Sequence, residues 1–132
     1  MTITPLYAGI LAVSFFVLSI RVVAFRRQGI SLGDGGNPSM LRRIRGHGNF
    51  AEYVPFILLM MGFLEFSHFS SYLLHGLGIV LVVARLLHGY ALSFTDKFFF
   101  GRFMGTVLTF TLLNVCGLLC LYQGLQAILK TA

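Results

Sequence analysis

Acidic residues are almost missing from this chain. Asp34, Glu52, Glu65 and Asp96 are the only four in 132 residues, charged residues make up 11% of the sequence, and tryptophan is absent. An average soluble domain carries about 25% charged residues, so an ordinary water-soluble protein is excluded. Long charged runs and low-complexity stretches are also lacking, which leaves nothing from which to build a disordered tail or a second domain. The two cysteines, Cys116 and Cys120, lie on one helix face inside an apolar run and read as small hydrophobes rather than a disulfide. No His-x-x-x-His pair is present, and no metal site is expected. Gly33-Asp34-Gly35-Gly36 lacks the strand, helix and lysine of a phosphate-binding loop.

What is present is apolar: 57% hydrophobic residues, with fourteen Phe and fifteen Gly. Each bilayer crossing takes about 20 helical residues, so the chain holds at most four or five spans. A single helical membrane domain over residues 1–132 is expected. The first apolar run extends from about Ile3 to Phe25, with Arg21 near its end and Arg26 and Arg27 after it. No cationic region precedes this run and no small-residue cleavage site follows it, so it reads as a retained span. Gln28 to Ser39 is a loop by its Gly, Asp, Asn and Pro content. The second span starts near Met40 as a basic amphipathic segment, carries Pro55, a potential kink, and ends between Glu65 and His68. The third covers roughly Tyr72 to Leu92 and the fourth Arg102 to Leu129, with a turn over Ser93 to Lys97.

The formal charge of +6 comes from eight Arg and two Lys, most of the excess lying between Arg21 and Arg45. That clustering fits cytoplasmic membrane loops and argues against nucleic acid as a partner. Arg26, Arg27, Arg42, Arg43, Arg45, Lys97 and Arg102 all fall at one end of the four spans. The positive-inside rule makes that end cytoplasmic and leaves both termini outside the cytoplasm.

One segment does not read as a plain membrane anchor: Arg42-Arg43-Ile44-Arg45-Gly46-His47-Gly48-Asn49-Phe50-Ala51-Glu52-Tyr53-Val54-Pro55. At ~100° per residue, Arg42, Arg45, Asn49, Glu52 and Tyr53 fit an arc of roughly 100°, and Arg43 and His47 point away from it. An unpaired ion at the centre of a bilayer costs at least ~2.5–3.5 kcal/mol, so this face must meet protein, water or a polar ligand. The structural alternative is that Glu52 pairs with Arg45 or Arg85 and the face only joins helices. Arg42, Arg45, Arg85 and Arg102, with Arg26, outnumber the nearby carboxylate, and guanidinium groups bind external carboxylates bidentately.

These residues resemble the motif of the membrane-associated proteins in eicosanoid and glutathione metabolism, the MAPEG family, which includes microsomal glutathione transferases. The family pattern Arg-Ala-x-x-Asn-x-x-Glu, followed by an aromatic and a Pro, is matched by Arg45, Asn49, Glu52, Tyr53 and Pro55, with Gly46 in place of Ala. Ala84-Arg85-Leu86-Leu87-His88 fits a second signature, and the four-span length fits as well. The resemblance implies an all-α integral membrane four-helix bundle, assembled as a homotrimer in the bacterial inner membrane. It further implies glutathione as co-substrate at the cytoplasmic side, contacted by Arg42, Arg45, Asn49, Glu52, Tyr53, Arg85 and His88. Leu92 stands where several members have a Tyr, a contact that Tyr90 is expected to supply if it is not lost.

By the same resemblance Arg102 is the residue that activates the thiol. Glutathione has two carboxylates and one ammonium, which Arg groups and Glu52 complement. A free thiol has a pKa of ~8.5 and reacts as the thiolate, a form that a neighbouring cation favours. The activity implied is that of a transferase or peroxidase acting on a lipophilic small-molecule substrate arriving from membrane lipid. Phe98, Phe99, Phe100 and Phe103 either line its path or simply face lipid. A noncatalytic protein binding glutathione or a lipid is the alternative. A channel is disfavoured because the polar residues collect at one membrane face.

Overall fold

A computed structural model describes residues 1–131, the side chain of Thr131 excepted. Four helices account for nearly all of them: α1 (Ile3–Arg26), α2 (Pro38–Phe66), α3 (Ser71–Ser93) and α4 (Phe99–Thr131). Each is long and apolar enough to cross a membrane. The boundaries agree with the apolar runs except where turn chemistry moves them. α2 begins two residues before Met40, because Asn37 caps it: its Oδ1 accepts the amides of Ser39 at 2.9 Å and Met40 at 3.2 Å, and Pro38 takes the first helical position. The helix then runs through Pro55 without a break. α4 begins three residues ahead of Arg102, which places Arg102 in its first turn.

Among the described residues α2 and α3 touch each other and both outer helices, whereas α1 and α4 do not meet. The core is built from Leu11 and Leu18 of α1, Phe50, Ile57, Met61 and Leu64 of α2, Leu74 and Leu81 of α3, and Leu112 and Cys116 of α4. α3 is the central element: 56% of its most apolar stretch is buried, against 11% for α1. The outward faces carry Val13, Phe16, Phe63, Val83, Phe110 and Leu118, a surface suited to hydrocarbon rather than water.

α3 and α4 approach closely at Gly105. A Cβ there would lie 2.7 Å from Cβ of His88 and 2.8 Å from the Ala84 carbonyl oxygen, so only glycine lets the two backbones come this near. The Gly101-x-x-x-Gly105 spacing is thus used at its second glycine. Gly101 instead faces the ring of Phe98, three residues before it.

Two helix ends are closed by side chains from other helices. The first helical amides have no partner within their own helix. At the start of α1 the carboxylate of Glu65, from the end of α2, accepts the amides of Thr2, Ile3 (2.8 Å) and Thr4 (2.7 Å). At the other end of the bundle Arg21 of α1 donates Nε, at 3.1 Å, and Nη2 to the carbonyl of Ser93, the last residue of α3. Each charge has the sign that the helix terminus favours.

Candidate functional site

The basic face of α2 is one wall of an open cleft of about 910 Å³ at the end of the bundle where the arginines collect. Arg42, Arg45, Asn49 and Glu52 line it from α2, His88 and Leu92 from α3, and Arg102 and Thr106 from α4. Four α2 residues predicted to share one arc therefore do so, and two further helices bring His88 and Arg102 to them. Arg43 and His47 point elsewhere, as their angular positions require. His47 lies 4.6 Å from Phe15 in a stacked pair, with Nε2 3.1 Å from Ser19 Oγ, and Arg43 sits over the Phe25 ring.

Charge in the cleft is unevenly matched. Glu52 and Arg45 are both exposed, and Glu52 forms no ion pair among the described residues. The proposed pairing of Glu52 with Arg45 or Arg85 is therefore not what the fold adopts. Arg42 reaches Asp96 at 3.7 Å, the one ion pair among the described residues. The loop after α1 adds Gly33 and Asp34 to the wall. Asp34 is a site residue that sequence reasoning missed, since a lone Asp in a glycine-rich turn gives no signal beyond turn formation. Gly33, Gly35 and Gly36 all adopt positive φ, which lets the loop fold back tightly.

Arg85 is 2% exposed and does not line the cleft. Its guanidinium donates to Asn49 Oδ1 at 2.9 Å, to the Gly105 carbonyl at 3.2 Å and to Thr109 Oγ1. It thereby ties α3 to α2 and α4 and orients Asn49, whose residue does face the cleft. Its Nε is buried without a partner among the described residues. Tyr53 lies one turn deeper along α2, its ring 5.6 Å from that of Phe110, and is not among the residues lining the cleft.

Tyr90 does not take the position of Leu92. Two residues along a helix correspond to roughly 200° of rotation, so the two point to opposite sides. Leu92 lines the cleft, while Tyr90 stacks on Phe94 at 5.6 Å and faces a separate groove between α1 and α3. The expected replacement contact is absent for that reason.

Gly46, the departure from the family pattern, is buried. A Cβ there would come within 3.1 Å of Ser93 Oγ and 3.2 Å of Leu92 Cβ, so an alanine would push against the end of α3.

Arg102 is exposed and borders two spaces at once. On one side is the polar cleft, and on the other a notch of about 370 Å³ formed by Phe99, Phe103, Arg102 and Thr106. Phe99 and Phe103 point outward from α4, whereas Phe98 turns into the α1/α3 groove, so the four phenylalanines do not form one stripe. Thr106, Thr109 and Thr111 each donate to the carbonyl four residues back, at 2.9, 2.6 and 2.9 Å, and so are satisfied inside α4.

The model of the MAPEG family matches residues 4–122. The protein named inner membrane protein YecN, in Escherichia coli strains K12 and O6:H1, is 37% identical over 89 residues, covering 67% of this chain and 68% of YecN. No solved structure shows significant similarity to the chain.

Proposed function

Because the chain belongs to the MAPEG family, we propose that its polar cleft binds glutathione and activates the thiol for attack on lipophilic electrophiles or hydroperoxides. The observation that carries this reading is the composition of the cleft. Arg42, Arg45 and Arg102 face one volume with Glu52 and Asp34. That set complements a ligand with two carboxylates and one ammonium. The guanidiniums take the carboxylates, and Glu52, which has no ion-pair partner among the described residues, takes the amine. Asn49 adds a neutral hydrogen-bonding group whose orientation depends on Arg85. In this reading Arg85 is a positioning residue, and His88 borders the ligand from α3.

Arg102 stabilises the thiolate by charge and by its place in the first turn of α4, where the helix terminus adds positive potential. It cannot be the base, since a guanidinium stays protonated; the thiol proton leaves to solvent through the open cleft. With a chlorinated aromatic substrate a carbon–sulfur bond forms, a carbon–chlorine bond breaks and chloride departs. The notch beside Arg102, walled by Phe99 and Phe103, offers an apolar approach from the bilayer to the same guanidinium.

The membrane arrangement belongs to the same proposal. The chain is a multi-pass inner membrane protein, as the name of its relative in Escherichia coli suggests, with the cleft cytoplasmic, both termini outside and three copies assembled. The test is calorimetric titration of the detergent-purified protein with glutathione, followed by turnover with chlorinated aromatics and hydroperoxides. Saturable binding with turnover is expected. Binding without turnover for any such substrate would make the protein a glutathione carrier, and absence of binding would remove the proposal.

A further inference from the structure

A second cavity lies outside the polar cleft, between α1 and α3. It measures about 510 Å³, within the about 300–1,000 Å³ range of small-molecule sites, and its walls include Val13, Val17, Leu86, Tyr90 and Phe94. Val13, Val17, Leu86 and Tyr90 are exposed on the outer surface of helices long enough to cross a membrane, and Phe94, directly after the end of α3, is exposed as well. The medium at this opening is therefore acyl chain rather than water.

The basic end of the groove is charged. The guanidinium of Arg21 lies 3.7 Å above the Phe94 ring, and Phe94 forms the rim. Nε and Nη2 of Arg21 are engaged by the Ser93 carbonyl, while Nη1 makes no hydrogen bond among the described residues. Arg43 of α2 lies 4.7 Å over the ring of Phe25, one helical turn along α1 from Arg21. Among the described residues no carboxylate pairs with Arg21 or Arg43. The four acids of the chain are all committed elsewhere: Asp96 to Arg42, Glu65 to the start of α1, and Asp34 and Glu52 to the polar cleft. Two adjacent guanidiniums without an acid, at the mouth of a lipid-facing apolar groove, complement an amphiphile with an anionic head.

We propose that the α1/α3 groove seats one acyl chain of an anionic phospholipid whose phosphate is held by Arg21 and Arg43. The phosphate of the bound lipid offsets one of the two positive charges, and its acyl chain fills the space beside α3. The site is separate from the glutathione reading and stands or falls without it.

The experiment is native mass spectrometry of the purified protein titrated with phosphatidylglycerol or with phosphatidylcholine of the same acyl chains. Preferential retention of phosphatidylglycerol is expected. Arg43→Gln, which leaves the Arg21–Ser93 contact in place, is expected to reduce that preference about fivefold. Val17→Trp, at an exposed wall position, is expected to abolish the adduct while helical content by circular dichroism is unchanged. Should that variant lose helicity, Val13→Trp one turn away supplies the same obstruction. Equal retention of the two lipids, or an adduct that survives a folded wall variant, would overturn the proposal. So would a wild type that carries no lipid and falls to a smaller oligomer on Val17→Trp, which would assign the groove to a second copy of the chain.

Discussion

Glu65 and Glu52 stand on the same helix, and their surroundings differ completely. The carboxylate of Glu65 accepts three backbone amides at the start of α1, whereas Glu52 is exposed and forms no ion pair among the described residues. The arginines divide in the same way. Arg85 is buried with acceptors on α2 and α4, and Arg102 is exposed between a polar cleft and an aromatic notch. A charge in an apolar span must be compensated. Where the compensation lies inside the chain, the charge holds helices together; where it does not, the charge is left to water or, on the glutathione proposal, to a ligand. The contrast separates ions satisfied inside the chain from ions open to a ligand, without reference to any relative.

The sharpest way to break this division is Arg85→Ala. Removing a side chain that is 2% exposed leaves a cavity and unties three helices, for an expected loss of about 3–5 kcal/mol in unfolding free energy. Thermal unfolding in detergent measures it, and an unchanged midpoint would place Arg85 with the ions open to a ligand. Arg102→Leu is expected to have the opposite profile. Turnover with a chlorinated aromatic should fall by about 10²–10³, as when one electrostatic stabiliser is removed from an active site, while glutathione affinity and the unfolding midpoint hold. Full activity in that variant would move thiol activation to another cation.

Glu52→Gln removes a charge but keeps an acceptor. Roughly tenfold weaker glutathione binding is expected by calorimetry, with no change in stability, since hydrogen bonds to charged groups are worth about 1.5–3 kcal/mol. A destabilised protein would instead give Glu52 a structural role. Glu65→Ala should do the reverse, costing about 1–2 kcal/mol of stability as a lost cap and leaving glutathione affinity intact. The smallest effect is expected for Tyr90→Phe. It faces the α1/α3 groove, so glutathione affinity should not change, and a measurable loss would return the hydroxyl to the cleft.

The parts of this picture that can be read in the sequence are those decided within one helix. Apolar run lengths locate all four spans, and a fixed step of ~100° per residue groups Arg42, Arg45, Asn49 and Glu52. The same geometry was available for Tyr90 and Leu92, whose two-residue offset places them on opposite sides. Contacts between helices carry no such local mark. Nothing near Glu65 in the chain shows that it closes α1, and nothing near Arg85 shows that its acceptors are Asn49, Gly105 and Thr109. Asp34 enters the cleft only because the glycine-rich loop folds back over it. The start of α2 was marked by Asn37-Pro38, a capping pair that the apolar periodicity alone passes over.

The closure of α1 by Glu65 bears on the order in which the bundle matures. Sixty-three residues separate Thr2 from its acceptor, and seventy-two separate Arg21 from the Ser93 carbonyl. The ribosome makes α1 first, yet its leading amides must be served by water or headgroups until α2 has been synthesised. Arg21 must wait longer still, until α3 is complete. α1 is thus made before either of the elements that close its ends, and the nascent chain acquires these two locks in sequence, first at Glu65 and then at Ser93, ahead of the Arg85 bonds that await Gly105 and Thr109 of α4.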